Sequence, residues 1–266
     1  MTAVETVVRK EWAETLRNRT ILFTWGLLSV MFLAMPLGLG LLLPALLGPE
    51  FAGTTEGLPA NYLQLMPSLA GLPPLQQAQV FLLRQFLPLF LVLPVMAAIS
   101  IATYSIIGEK TSRSLEAVLA TPISTEQLLL GKALASTIPA VLGTWLIFLI
   151  YAVIVIWRAG ATVARYVLDP ATLTMIILIT PLVAMMALGL GVIVSARVTD
   201  PRSAQQVGVI IILPVVAVMI GQSVGLFILG LPYVLMAAIL LAVLDGLVFV
   251  VGVRVFQRET ILTRWR

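Results

Sequence analysis

Residues 203–244 read SAQQVGVIIILPVVAVMIGQSVGLFILGLPYVLMAAILLAVL, forty-two residues without one Asp, Glu, Lys or Arg. A bilayer core about 30 Å thick is crossed by roughly 20 apolar residues in a helix, because lipid offers no hydrogen-bond partner to exposed backbone. This stretch is long enough for two crossings, and four other long stretches read the same way. The whole chain agrees, with 60% hydrophobic residues, 11% charged residues and a mean hydropathy of +1.09. The sequence therefore predicts an all-α integral membrane protein, residues 1–266 forming one membrane domain with no soluble domain left over.

Six spans are predicted, at about 21–47, 80–107, 133–157, 171–195, 207–229 and 233–253. The first begins too late and runs too long for a cleaved signal peptide. Pro36 and Pro44 are expected to kink or end it. Thirteen of the sixteen basic residues fall on one side of this arrangement, including Arg9, Lys10, Lys110, Arg113, Lys132, Arg197 and Arg254. Cytoplasmic loops attract Lys and Arg, so both termini are expected in the cytoplasm of a multi-pass protein of the cell membrane. The opposite side keeps Arg84, Arg158 and Arg165, and Arg84 is expected to snorkel to the headgroups. An external loop at 48–79 is rich in Pro and Gly. The last two spans are joined almost without a loop, and the breaks at Gly221-Gln222-Ser223 and Gly230-Leu231-Pro232 fit either a straight hairpin or a re-entrant turn.

Composition also removes several functions. The pI near 9.8 reflects basic residues flanking apolar spans, not a polar basic domain, so nucleic acid is not an expected partner. There is no Cys and no His, which excludes disulfides, thiol nucleophiles and imidazole chemistry. The spans offer no paired carboxylates or nucleophile beside a base, so an intramembrane enzyme is disfavoured.

Two polar segments carry information. In residues 1–19, Val4, Val8, Trp12 and Leu16 recur every fourth residue with Val7 beside them, while Arg9 and Lys10 occupy other faces. This predicts an amphipathic helix suited to the headgroup level, serving either as a topology anchor or as a partner-contacting element. The longest cytoplasmic loop, GEKTSRSLEAVLATPISTEQLLLGK at 108–132, predicts a short helix with Leu115, Val118 and Leu119 on one face. Lys110, Arg113 and Glu116 take its other faces. Pro122 stops it, and Ser124 with Gln127 forms a capping box for the next helix. A rigid mixed-charge helix between two spans is a handle by which another protein could push the membrane helices.

On VVRKEWAETLRNRT, GEKTSRSLEAVLATPISTEQLLLGKALA and SARVTDPRSAQQ, the chain resembles the permease subunits of ABC exporters of the type-2 class, which have six spans per subunit. The resemblance implies that the loop between spans two and three is the coupling region that docks on an ATPase. The matching positions are Glu109, Leu115, Glu116, Ala120, Thr121, Pro122, Ser124, Gly131 and Lys132. Arg113 stands where members often have Gly before the Ser, a modest departure. For Glu109, Arg113 and Glu116 the bland alternative is a solvated face with helix-spaced ion pairs. Nothing in the chain matches G-x-x-x-x-G-K-[ST]; Gly108-Glu109-Lys110-Thr111 lacks its first Gly and its Gly-Lys junction. ATP and Mg are therefore expected on a separate nucleotide-binding subunit, with no cofactor on this chain. A second copy of the permease, or a similar permease, is implied as a further partner, together with membrane lipids.

Asp245 lies inside the sixth span. A carboxylate there costs about 2.5 to 3.5 kcal/mol on insertion scales, so it is expected to face a partner or water. Asp245 and Gln222 thus belong either to a translocation path or to helix pairing. Asp245 also supports a competing reading, an ion- or proton-coupled secondary carrier, although no inverted repeat accompanies it. The mostly apolar spans point to an amphipathic, lipid-linked or hydrophobic cargo in preference to a hydrated ion.

Overall fold

The computed structural model describes residues 3–44, 46, 61–111, 125–195, 206 and 208–255, all helical or connecting, with no strand among them. Helix α1 (Ala3–Arg17) turns at Asn18 into α2 (Arg19–Leu37), which a π-helical turn extends through Gly38–Leu42. Asn18 makes the corner. Its side-chain oxygen accepts from the backbone N–H groups of Thr20 and Ile21, two donors that have no partner within the first turn of α2. Pro36 sits inside α2 just before the π turn, where its missing N–H and its ring disturb the ladder.

A short α3 (Tyr62–Leu65) precedes α4 (Pro74–Gln85), and a 3-10 turn at Leu87–Leu91 links α4 to α5 (Val92–Thr111). Then come α6 (Thr125–Val167), α7 (Pro170–Thr174), a π turn at Met175–Ile179, α8 (Thr180–Ser195), α9 (Gly208–Ser223) and α10 (Leu231–Val255). Gly160, at φ 79°, kinks α6 just beyond Trp157 and Arg158, so its last turns run in a new direction.

Five segments are long and apolar enough to cross a membrane: Arg19–Leu42, Pro74–Ser105, Leu130–Val167, Pro170–Ser195 and Leu231–Gly252. The second starts earlier than the sequence predicts, because α4 and the 3-10 turn continue the apolar run of α5. It is the centre of the bundle, with 83% of its apolar window buried against 11% for the first segment and 17% for the last. That fits a helix apolar on every face. Phe90 in the 3-10 turn stacks edge-on against Phe148 of α6 at 5.7 Å, and Tyr151 lies 5.2 Å from Phe90.

The predicted fifth span is the exception. Helix α9 has 16 residues, about 24 Å at 1.5 Å per residue, less than the hydrocarbon thickness. It ends in a Schellman turn: Leu226 N–H donates to Gly221 O, Gly225 N–H donates to Gln222 O, and Gly225 takes φ 74°. Phe227 closes over Gly221, where a Cβ would lie 2.6 Å from its ring. Both breaks seen in the sequence are thus real ends of helices, with residues 224–230 between them.

The peripheral α2 leaves a cleft against α5 and α6, lined by Trp25, Ser29, Ala97, Ala140 and Gly143. The indole N–H of Trp25 is buried without a hydrogen-bond partner among the described residues.

Candidate functional site

Helix α6 carries a polar cluster at each end. From Lys132 near its start to the kink at Gly160 the helix rises about 42 Å at 1.5 Å per residue, and Tyr166 lies just beyond that kink. The two clusters therefore mark opposite ends of the bundle.

At the near end α1 packs on the first turns of α6. The face that it buries runs through Val4, Val7 and Glu11, one position round from the stripe predicted by the sequence; Trp12 stays 38% exposed and Leu16 68%. The reason is Gly131. A Cβ there would lie 2.8 Å from Val7 Cβ, so the glycine lets the backbones meet and fixes which face of α1 turns inward. Glu11 follows Val7 by one turn and is carried into the contact. Its carboxylate meets Lys132 Nζ at 2.8 Å, both side chains being 3% exposed. Lys132 Nζ also donates to Ser105 Oγ on α5, and Trp12 Nε1 donates to Ala135 O at 2.9 Å. Arg9 and Lys10 stay on the open side, paired with Glu5 at 3.4 Å and Glu14 at 3.7 Å. Three elements are thus pinned through one ammonium group.

Glu11 was not legible as a site residue, although a carboxylate one turn after Val7 on an apolar stripe is a signal that a cation lies opposite. The coupling positions predicted by the sequence adjoin this cluster in the chain. Glu109 lies in the last turns of α5, whereas Arg113, Leu115, Glu116, Ala120, Thr121, Pro122 and Ser124 lie outside the described residues. Helix α6 starts at Thr125.

At the far end Arg84 closes α4. The expectation that it snorkels to the headgroups is not met, for Arg84 is 6% exposed. Its Nη1 meets Asp169 Oδ2 at 2.9 Å and donates to Tyr166 O, while Nη2 donates to Leu229 O at 3.3 Å. Two of these acceptors are backbone carbonyls at the end of α6 and just before α10, which have no helix partner of their own. Asp169 is fixed in turn: its Oδ1 accepts from Thr172 N–H at 2.9 Å and caps α7. The neighbouring Gln85 donates through Nε2 to Met219 O at 2.7 Å and to Ser223 Oγ on α9. Asn61 donates to Gly225 O in the turn after α9. Burial pushes the Tyr62 hydroxyl up to about 12, with Arg84 opposing it, so Tyr62 is a neutral donor to Met66 Sδ.

Gln222 sits behind this layer, its Oε1 accepting from Leu229 N–H at 3.4 Å. It does restrain backbone at the helix break. Gln85 Oε1 and Gln222 Nε2 are buried without a hydrogen-bond partner among the described residues, and both residues line a small pocket with Tyr62, Phe81 and Arg84.

Asp245 lies on the stripe Val234, Ala238, Leu241, Asp245, Val248, the face of α10 turned into the bundle. Gly189 of α8 admits Val248 there; a Cβ on it would lie 2.4 Å from Val248 Cγ1. The carboxyl group faces protein, and neither oxygen has a hydrogen-bond partner among the described residues.

No curated protein matches the chain. A comparison with protein families matches residues 5–234 to the ABC-2 family transporter protein. That match covers both helix-end clusters, the loop at 108–132 and five of the six predicted spans in full. With an all-helical fold built on apolar membrane-length helices, the chain belongs to the ABC-2 family of ABC transporter permeases.

Proposed function

We propose that this permease is the membrane-spanning subunit of an ATP-driven exporter, working as a dimer with separate ATPase subunits that drive it through residues 108–132. ATP and Mg belong to the partner. In this reading α9 is the fifth of six spans, α1 lies at the cytoplasmic interface, and both termini are cytoplasmic in the plasma membrane, as the distribution of basic residues argues.

The observation that carries the reading is the near-end cluster. Residues 112–124 join α5 to α6, and Lys132 ties the stems of both helices to α1 through Ser105 and Glu11. A force on this connection would move α1, α5 and α6 together, since breaking a buried pair by removing one partner costs about 3–5 kcal/mol. Glu109, Arg113, Leu115, Glu116, Thr121, Pro122 and Ser124 are the residues assigned to ATPase contact. Two permeases face each other because six helices make a thin wall for a path. The mostly apolar spans favour amphipathic, lipid-linked or hydrophobic cargo.

The test is affinity purification of the tagged chain in mild detergent from its native host, with subunit stoichiometry and ATPase activity measured on the eluate. One nucleotide-binding subunit per permease is expected. A partner-free permease under several mild conditions would sink the proposal. Glu116→Arg and Pro122→Ala should each uncouple ATP hydrolysis from transport while leaving insertion intact.

A second reading, an ion- or proton-coupled carrier, is favoured by Asp245, whose two oxygens have no hydrogen-bond partner among the described residues. It requires transport to survive ATP depletion and to stop on collapse of the ion gradient, with Asp245→Asn inactive.

A further inference from the structure

The far side of the bundle is poor in cations, and the fold consumes one of them. Arg84 is spent on Asp169 and two backbone carbonyls. Across the far-side segments 48–79, 158–170 and 224–232 the sequence then leaves Arg158 and Arg165. Chains avoid Lys and Arg on the side away from the cytoplasm, so two arginines on one short stretch there call for a partner. The geometry points to Arg158, Arg165 and Trp157 as a binding site for the phosphate of an anionic phospholipid in the far leaflet. The inference goes beyond the transport reading and does not depend on it, for it needs only that α6 cross the bilayer.

Depth supplies the first argument. A helix crosses the hydrocarbon in about 17–25 residues, so α6, entering at Lys132, has left it by Trp157. The stretch that follows stands at headgroup level, the depth at which Trp collects and where lipid phosphates lie. Direction supplies the second. Gly160, at φ 79°, turns the chain so that Val163, Ala164 and Val167 are buried in the bundle, and Arg165 stands on the opposite, exposed face. Tyr166 fixes this turn from both ends: its carbonyl accepts from Arg84, and its hydroxyl donates to Ser68 O at 3.0 Å. Before the kink, Trp157 is 79% exposed, and Arg158 Cζ lies 5.6 Å from the centre of its ring, which holds the exposed guanidinium at the surface.

Charge supplies the third. Among the described residues neither arginine meets a carboxylate. Asp169, close in sequence, is committed through Oδ2 to Arg84 and through Oδ1 to the N–H of Thr172. Two guanidinium groups on a fixed backbone, beside an interfacial indole, suit a phosphodiester, whose oxygens match their forked donors.

The chain has no cysteine, so Ala161→Cys places one thiol on the exposed surface between the arginines for a fluorescent label. In phosphatidylcholine nanodiscs, quenching by phosphatidylglycerol or phosphatidylcholine carrying a nitroxide near the headgroup gives the relative association constants of the two lipids. A preference for phosphatidylglycerol of roughly fivefold for each arginine is expected. Arg158→Gln or Arg165→Gln should each remove one such factor, and the pair should abolish the preference. Arg158→Lys with Arg165→Lys keeps the charge, loses the fork and should fall between. Arg9→Gln, at the opposite end of the bundle, should change nothing. Equal quenching by the two lipids would overturn the inference, as would a preference that survives the double glutamine variant. A full preference in the double lysine variant would also overturn it, since diffuse charge would then replace a phosphate contact.

Discussion

The two ends of α6 are both held by a buried cation, but in different ways. At the near end, Lys132 and Glu11 are each 3% exposed, and the bond joins side chains 121 residues apart in sequence. Removing either partner would take from the other its closest opposite charge, leaving Glu11 only the longer pair to Lys10 at 3.9 Å. At the far end, Arg84 spreads its bonds over two backbone carbonyls and a carboxylate that is 25% exposed. The difference teaches that a buried charge fastens a helix only as firmly as its partner is shut off from water. The near end gathers three helices on one buried ion pair, whereas the far end spreads one guanidinium over two carbonyls and a partly exposed carboxylate.

The largest test of this contrast is Lys132→Met, which leaves the buried Glu11 with only its longer ion pair to Lys10 at 3.9 Å. It should lower stability by about 3–5 kcal/mol, read as thermal melting in detergent. Adding Glu11→Gln should recover much of that loss, and a double variant no better than the single would refute the pairing. Next, Gly131→Leu drives a side chain into Val7 and should cost about 1–3 kcal/mol while exposing α1 to protease. At the far end, Gly225→Ala forces a left-handed backbone onto a residue with a Cβ and should cost about 1–2 kcal/mol. Smallest is Asn18→Ala, about 1 kcal/mol from the lost cap of α2, with the near-end ion pair retained. If Gly225→Ala proved costlier than Lys132→Met, the ranking of the two ends would be reversed.

The sequence shows the spans well because hydrocarbon imposes composition directly: a run such as 231–252 needs no partner to be recognised. The helix breaks at Gly221 and Pro232 were equally legible, since glycine and proline act on their own backbone. Distance defeated the rest. Arg84 lies near a span end, and only its fold-made neighbour Asp169, 85 residues on, turns a snorkelling arginine into a buried one. Likewise, Gly131 rotates α1 so that Val7 and Glu11 face inward in place of Val8 and Trp12. The kink at Gly160 had no flanking signal. For Arg113 to Ser124 the family resemblance remains the guide, as those residues lie outside the described ones.

Helix α2 is gripped at its two extremities, by the Asn18 corner and by Gly40 pressed on Leu83, with the Trp25 cleft between them. In mechanical terms it is a column. With the π turn it runs 24 residues, Arg19–Leu42, about 36 Å, so a membrane of different thickness loads it along its axis. A column loaded that way bows sideways, and the cleft gives it a side with room. Bilayer thickness would thereby bear on the width of the cleft that α2 shares with α5 and α6.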